Sequence, residues 1–266
     1  MKYIATEYEG IFYPSDPQVL KEYIEKCESA NTDFGPDLSM LKIKALIVPS
    51  GDYVNAGAIA LSAYRELAHR KIKKVIILGS SSYVRCEGIC LTEKDGFECP
   101  LGNIEIEKAD ITKLKQSLPF NVNEQVMKKQ HSIEVQLPYI KHYAPNAKVV
   151  PLVIGKNIKF AEVADKIAEL VTEQTIIVVS TNFSHYLSYD KANVADKISN
   201  DAIMSMVTKD ILEQGEASSI NGLAILNEIA LLKEWTPMFL KYSNSGEDQE
   251  DKNSVIGYSS FLYFED

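Results

Sequence analysis

The sequence predicts an α/β fold: a single domain over residues 1–266, with a mostly parallel central sheet, helices on both faces and a β-rich C-terminal segment. Four short runs are almost continuously apolar, which is typical of strands covered on both faces of a parallel sheet. Helical patterns separate these runs, so strand and helix alternate as they do in βαβ units. With 266 residues and 45% hydrophobic content, the chain is long enough to bury the core of one large domain.

The predicted elements follow one another along the chain. The four buried strands are residues 43–49, 74–79, 147–155 and 175–180. Helical patterns lie near 55–69, 131–143, 160–172, 190–206 and 220–234. Two β-rich runs, 236–242 and 254–264, end the chain, and we expect them to belong to the sheet. The polar, acidic stretch between them, 243–253, has no periodicity and is predicted to be an exposed loop.

Composition excludes several classes of function. A net charge of -9 and a pI near 5.1 argue against a nucleic-acid partner, because phosphates require a clustered basic surface. No apolar run approaches the length of a membrane span, so no membrane association is expected. The N-terminus lacks a secretory pattern and four cysteines are too few for a disulfide scaffold, which favours a cytoplasmic protein. Cys86, Cys90 and Cys99 lack the spacing of a zinc ribbon and are predicted to be small buried residues.

His131 and Glu134 are three residues apart at the start of an apolar helical run. At this spacing the two side chains share one helix face. The pair could act as an acid and a base, as two metal ligands, or as a structural hydrogen bond, and the spacing alone does not choose among these roles.

Polar side chains also follow three of the predicted strands. They lie in residues 49–53, 79–82 and 180–186. Because ligand sites in open α/β sheets collect beyond the carboxyl ends of the strands, we expect these segments and His131 to form one pocket rich in hydroxyl groups.

Several segments together resemble the Memo family, also called AmmeMemoRadiSam system protein B. The matching motifs run in order through residues 10–17, 97–102, 131–138, 180–186, 241–246 and 255–258. The family fold is similar to that of the class III extradiol dioxygenases, which use non-haem iron. The resemblance therefore implies a metal-binding type of pocket on an α/β scaffold.

The chain departs from the family pattern at the residues that would hold a metal. Ser50 stands where members have a histidine in Pro-His-Ala-Gly-Tyr, and Ser82 stands where they have the histidine of Gly-Pro-Ser-His. Asn182 replaces the aspartate of Ser-Ser-Asp-x-x-His, whose histidine is retained as His185. Asn221 replaces the cysteine of a Cys-Gly pair. Hydroxyl and amide groups are poor ligands for Fe, Cu or Zn, so we expect no transition metal and no cofactor.

We therefore expect a metal-free pocket that binds a small molecule or a partner peptide. The predicted pocket residues are Ser50, Asp52, Tyr53, Ser82, His131, Glu134, Asn182, His185 and Asn221. An enzyme is the alternative: a metal-dependent oxidoreductase using His131, His185 and Asp52, or a hydrolase in which Ser50 or Ser82 is paired with a histidine base. In either case His131 and His185 are the catalytic candidates. The resemblance also implies a radical S-adenosylmethionine protein and an AMMECR1-like protein as partners.

Overall fold

The four buried strands predicted from the sequence form the middle of the sheet in the computed structural model, which describes residues 1–30, 38–81, 84–117, 120–247 and 252–265. The strands are β1 (Tyr3–Ile4), β2 (Lys42–Val48), β3 (Lys74–Ser80), β4 (Ile89–Leu91), β5 (Gly96–Phe97), β6 (Ile104–Glu105), β7 (Phe120–Val122), β8 (Lys148–Ile154), β9 (Thr175–Ser180), β10 (His185–Leu187), β11 (Thr236–Asn244) and β12 (Val255–Glu265).

The helices lie close to the predicted patterns, with additional helices near the N-terminus, before His131 and between the patterns at 190–206 and 220–234. They are α1 (Pro17–Ala30), α2 (Tyr53–Tyr64), α3 (Lys108–Ser117), α4 (Glu124–Lys128), α5 (His131–Glu134), α6 (Leu137–Tyr143), α7 (Phe160–Ala168), α8 (Tyr189–Ser205), α9 (Thr208–Gln214) and α10 (Ile220–Lys233). A short 3₁₀ turn, Arg65–Leu67, continues α2. No helix among the described residues is both long enough and apolar enough to cross a membrane.

Nine strands of the described chain form one sheet, in the order β10-β12-β2-β9-β3-β8-β4-β7 with β11 paired to β12. The central strands β2, β9, β3 and β8 are parallel, and every residue of β9 is buried, as expected for a strand covered on both faces. β12 runs antiparallel to β2, and β4 runs antiparallel to β8, so the whole sheet is mixed. The predicted α/β class and the β-rich C-terminal segment are confirmed.

Two groups of helices flank the sheet. α1, α2 and α6 pack together next to β2, β11 and β12, while α10 packs on α7 and against β9 and β3. A separate small sheet of β1, β5 and β6, which the sequence did not predict, joins the N-terminus to the middle of the chain.

The helix predicted over 131–143 is interrupted. α5 ends at Glu134 and α6 begins at Leu137, with Pro138 in its first turn. Pro138 has no amide hydrogen to donate to the Glu134 carbonyl, so the series of helical hydrogen bonds is interrupted there. The break therefore follows from Pro138, and it separates the short helix that carries His131 from α6.

The cysteines are partly as predicted. Cys86, Cys90 and Cys99 are buried, but Cys86 and Cys90 form a disulfide rather than acting as free apolar residues. Cys27 and Cys99 are free.

The carboxyl ends of the parallel strands meet at one edge. Val48 of β2 and Gly79 of β3 both lie opposite Ser180 of β9, and Ser80 of β3 lies opposite Ile154 of β8. The segments that follow these strands therefore start from neighbouring points.

Candidate functional site

The helix that begins at His131 is fastened to the end of β3. The Ser132 hydroxyl donates a hydrogen bond of 3.2 Å to the carbonyl oxygen of Ser80. A Cβ atom on Gly79 would lie 2.7 Å from Ser132 Oγ and 2.8 Å from Ile133 Cδ1, so only glycine lets α5 approach the strand this closely. The position of His131 thus depends on Gly79.

Gln136 joins the same segment to two other strand ends. Its Nε2 donates to the carbonyl oxygen of Pro49 at 2.8 Å and to Ser180 Oγ at 2.7 Å, and its Oε1 accepts from the Tyr64 hydroxyl at 3.0 Å. The side chain is fully buried. Because both polar atoms of this buried side chain are hydrogen-bonded, Gln136 fixes the His131 segment relative to β2 and β9.

Glu134 anchors the N-terminal segment. Its carboxylate accepts hydrogen bonds from the amides of Glu7 at 2.9 Å and Tyr8 at 2.8 Å, and from the Tyr13 hydroxyl at 2.7 Å. Burial raises the pKa of the Glu134 carboxyl, and the donated hydrogen bonds oppose that rise. Among the roles open to Glu134 from its spacing, this geometry corresponds to structural hydrogen bonding.

His131 is half-buried beneath aromatic rings of the N-terminal segment. Its ring centroid lies 5.0 Å from that of Phe12 and 5.8 Å from that of Tyr8. Burial, with a smaller contribution from the nearby His185, lowers the pKa of His131 to about 4. The imidazole is therefore neutral at pH 7, and the two histidines are close enough to interact electrostatically.

His185 lies on β10, where it pairs with Ile256 of β12. Burial lowers its pKa, while the charges of Asp196 and Glu216 act in the opposite direction. Ser184, the residue before His185, is held by the buried Asp196 carboxylate. The carboxylate accepts hydrogen bonds from the Ser184 amide at 2.7 Å and the Ser184 hydroxyl at 3.0 Å. The strand that carries His185 is thus held by a buried polar network.

An open groove of about 360 Å³ lies beside His185. It is lined by Phe183, His185, Leu212, Gly215, Glu216, Ala217, Ser218 and Ile220. The groove gives His185 access to a ligand, with apolar side chains on its walls and polar groups at Glu216 and Ser218.

Ser50 and Asn182 are in direct contact. The Ser50 amide donates to Asn182 Oδ1 at 2.9 Å, and the Asn182 backbone amide donates a hydrogen bond of 3.0 Å to the Ser218 hydroxyl oxygen. A Cβ on Gly51 would lie 3.0 Å from the ring of Tyr258 and 3.6 Å from Asn182 Oδ1, so these groups share one small volume. Within the described residues, the buried Ser50 Oγ has no hydrogen-bond partner.

The remaining predicted pocket residues have structural contacts. Asp52 caps α2 by accepting a hydrogen bond of 3.0 Å from the Asn55 amide. Tyr53 is buried, donates to the Val135 carbonyl at 2.9 Å and stacks on Tyr139 at a centroid distance of 4.5 Å. Asn221 Nδ2 donates to the Gly155 carbonyl at 2.7 Å, just beyond β8. Ser82 lies outside the described residues.

The predicted residues therefore fall into two groups: those that interact with another predicted pocket residue, and those whose polar atoms make structural contacts. Ser50 contacts Asn182, and His131 is electrostatically coupled to His185. Glu134, Tyr53, Asp52 and Asn221 use their polar atoms to hold neighbouring segments in place.

Sequence reasoning missed three contributors to this site. Gln136, Phe12 and Ser218 each contact a predicted residue or its segment. Gln136 was detectable as a polar residue inside the apolar run that starts at His131. Phe12 lies in the motif of residues 10–17, but no local sequence pattern connects it with His131, which is 119 positions away.

The donor set does not fit a transition metal. Among the described residues, no group of three or more His, Cys, Asp or Glu side chains could hold a metal ion. Both Asp196 carboxylate oxygens accept hydrogen bonds from Ser184, and the Glu134 carboxylate accepts hydrogen bonds from the N-terminal segment. Two imidazoles with serine and asparagine offer neither the thiolate nor the carboxylate that Fe, Cu and Zn sites use.

Known proteins are similar in sequence to this chain along nearly its whole length. A family model described as Memo-like protein matches residues 5–262. A MEMO1 family protein of Methanothermobacter thermautotrophicus is 27% identical, over 94% of this chain and 96% of that protein. One from Sulfurisphaera tokodaii is 29% identical, over 96% of each.

A solved structure supports the fold alone. The uncharacterized protein JW3007 from Escherichia coli K12 has a TM-score of 0.51 and 14% sequence identity, and the match covers 82% of this chain and 99% of that chain. The ordered motifs, the α/β architecture and the match over residues 5–262 agree, and the chain belongs to the Memo family.

Proposed function

We propose that this Memo-family protein binds a small molecule or a short peptide at the ends of β2, β3 and β9, without a metal ion and without catalysis. One observation carries the proposal: the Glu134 and Asp196 carboxylates, which could complete a metal site with the two histidines, already accept hydrogen bonds from other parts of the chain. The pKa values of both histidines are lowered, so their imidazoles are neutral at pH 7. A neutral imidazole both donates and accepts hydrogen bonds, so it suits recognition of a polar, uncharged group.

The surroundings of the histidines support a ligand that is partly aromatic or apolar. Phe12 and Tyr8 lie against His131, and Phe183 and Ile220 line the groove beside His185. Binding sites for small molecules commonly combine such apolar walls with a few polar groups that fix orientation. The buried Ser50 hydroxyl is one more group that a ligand could engage.

A hydrolase is less well supported by the geometry. An activated serine needs a base within hydrogen-bond reach, and Ser50 Oγ has no hydrogen-bond partner among the described residues. An oxidoreductase would need a third strong ligand beside His131 and His185. Asp52, the candidate in the sequence, uses its carboxylate to cap α2.

The metal-free part of the proposal is tested by elemental analysis. The purified protein, first stripped with a chelator, is dialysed against Fe²⁺, Cu²⁺ or Zn²⁺ and then freed of unbound ions. We expect well under one equivalent of each metal, unchanged in His131→Gln, His185→Gln and the surface control His69→Gln. Near-stoichiometric metal that is lost in the first two variants and kept in the control would overturn it.

The ligand-binding part is tested by NMR. Imidazole resonances of the histidines are recorded while a library of neutral aromatic fragments is added. We expect binders that shift His131 or His185 and leave His69 unchanged. A library that shifts none of the pocket histidines, together with turnover of an ester or catechol that His131→Gln abolishes, would replace binding by catalysis.

Protein partners are part of the same proposal. The resemblance to AmmeMemoRadiSam system protein B suggests a radical S-adenosylmethionine protein and an AMMECR1-like protein as the partners. Each candidate from the same organism is mixed with the purified chain and passed through size-exclusion chromatography. Co-elution that is weakened by Tyr186→Ala, an exposed residue beside His185, would support a partner at this pocket. Separate elution of both candidates would contradict it.

A further inference from the structure

The Cys86–Cys90 disulfide closes a very short segment between β3 and β4. The two Cα atoms are 6.5 Å apart and four positions separate the residues. Both side chains are buried, at 3% and 2% exposure.

Backbone hydrogen bonds also hold the segment that the disulfide closes. The Cys86 carbonyl accepts a hydrogen bond of 3.1 Å from the Lys156 amide, and Gly88 exchanges hydrogen bonds of 2.8 and 2.9 Å with the 155–156 backbone. Cys90 pairs with Val153 in the sheet. The stabilisation from a disulfide grows with the length of the loop that it closes, so a five-residue loop gains less than a long loop would. The fold around the bond should therefore survive its reduction.

The segment between the cysteines forms the wall of a cavity. Gly88 and Ile89 line a volume of about 240 Å³ together with Phe120, Ile158 and Val163. The cavity also has polar lining at Asn157, Lys159 and Glu162. Asn157 Nδ2 donates to Glu87 Oε2 at 2.8 Å, which connects the disulfide loop to the opposite wall. Opening or closing the bond would thus change the freedom of one wall.

We propose that Cys86 and Cys90 are a redox-active pair that exchanges with low-molecular-weight thiols and disulfides while the fold stays intact. Disulfides in reducing compartments are mostly transient, catalytic or redox-sensing, which agrees with a bond that contributes little to stability. This site lies outside the histidine pocket and does not depend on the proposed function.

The exchange balances with a glutathione-type disulfide as oxidant. Both cysteines are buried, so the exchange proceeds when the 86–90 segment opens locally. The thiolate of one cysteine then attacks a sulfur of the small disulfide, forms a mixed disulfide and releases one small thiolate. The thiolate of the other cysteine then attacks the protein sulfur of that mixed disulfide and expels the second small thiolate. The protein dithiol loses two protons and two electrons, and the small disulfide becomes two thiols. Reduction follows the same steps in reverse.

The test is a redox titration of the folded, full-length protein. It is equilibrated with mixtures of reduced and oxidised glutathione, quenched in acid and alkylated, and the modified cysteines are identified by peptide mass spectrometry. We expect Cys86 and Cys90 to change together in one two-electron transition that reverses on reoxidation. Cys27 and Cys99 serve as internal references and should not follow that transition.

A second measurement separates a redox pair from a structural bond. The circular dichroism spectrum of the reduced protein should match that of the oxidised protein and its melting temperature should fall only slightly, while amide exchange of residues 86–90 becomes faster. In Cys90→Ser, we expect a mixed disulfide with glutathione to accumulate on Cys86. The proposal is overturned if the pair is alkylated at every glutathione ratio, if excess dithiothreitol leaves the bond intact in the folded protein, or if reduction unfolds the chain.

Discussion

His131 is held in its neutral form by where its ring lies. Phe12 and Tyr8 lie against it, and burial accounts for most of the fall in its pKa to about 4. The interaction with His185 lowers the pKa further, because protonating one imidazole makes the second charge more costly. A neutral imidazole is also the form that binds metals, so the pocket differs from the metal sites that the family resemblance implied in its other residues, Ser50 and Asn182, which stand where that resemblance implied ligands.

An NMR titration checks this protonation state. We expect the His131 ring protons to titrate with a midpoint near pH 4 in the folded protein, against about 6.5 in the urea-unfolded chain. The unfolded chain then binds a proton between pH 6.5 and 4 that the folded chain does not. The contribution of His131 to stability is therefore present above pH 6.5 and is lost as the pH falls through this window.

The control for that titration is a variant. His131→Gln has no imidazole to protonate, so its free energy of unfolding should fall less than that of the wild type between pH 7 and pH 4. We expect a difference of roughly 1–3 kcal/mol by chemical denaturation. Equal losses in both proteins would contradict a depressed His131 pKa.

The residue contacts that were predictable are those set by strand ends. Ser50 and Asn182 follow the parallel strands β2 and β9, and the sheet rule alone places them together. The sequence left three roles possible for Glu134, as an acid or base, a metal ligand or a structural hydrogen-bond acceptor. It could not choose among them because the partners Glu7, Tyr8 and Tyr13 are more than 120 positions away. Local spacing describes which side chains share a helix face, and it contains nothing about a distant segment that packs there.

Among the elements, α2 starts at a well-formed cap. Asp52 has extended backbone geometry and accepts a hydrogen bond from the Asn55 amide at 3.0 Å. We expect Asp52→Ala to lower the free energy of unfolding by about 0.5–2 kcal/mol, because it leaves a helix amide without its partner. Asp52→Asn preserves an accepting oxygen and should stay close to the wild type. Equal losses in the two variants would assign the effect to the charge instead of the cap.

The contact between α5 and β3 gives a second prediction at this scale. A methyl group at Gly79 would overlap Ser132 Oγ and Ile133 Cδ1, so Gly79→Ala should cost about 1–3 kcal/mol by denaturant unfolding. Ile133→Val removes one of the overlapping atoms. The double variant should therefore lose less stability than the sum of the two single variants. Strict additivity would mean that the packing of α5 on β3 does not depend on this approach.

The strands were predictable because their signal is local, whereas their neighbours were not. β2, β3, β8 and β9 are apolar runs that only a doubly covered sheet can bury. β4, which pairs antiparallel with β8, has three residues, and the strands of the small sheet, β1, β5 and β6, have two each. Such short strands have too few residues to show a period, and their pairing is decided by the packed molecule.

At the scale of the whole molecule, the N-terminal segment connects distant parts of the chain over the pocket. Glu7 pairs with Lys128 and Lys129, and the Tyr8 hydroxyl donates to the Lys129 carbonyl. The Glu134 carboxylate then holds the backbone at Glu7 and Tyr8. Because the same segment carries the rings that lie against His131, access to this histidine depends on a contact made by Glu134.

Glu134→Gln tests that dependence. All three groups that face the carboxylate are donors, and an amide can offer them only one oxygen while its own NH₂ group meets a donor. We expect the N-terminal segment to open more often and the stability to fall by about 1–3 kcal/mol. His131 should then react several-fold faster with diethyl pyrocarbonate, measured by peptide mass spectrometry with the exposed His69 as internal reference. The exposed substitution Glu162→Gln should leave both rates unchanged, and an unchanged His131 rate in Glu134→Gln would mean that the segment covers the pocket without the help of this carboxylate.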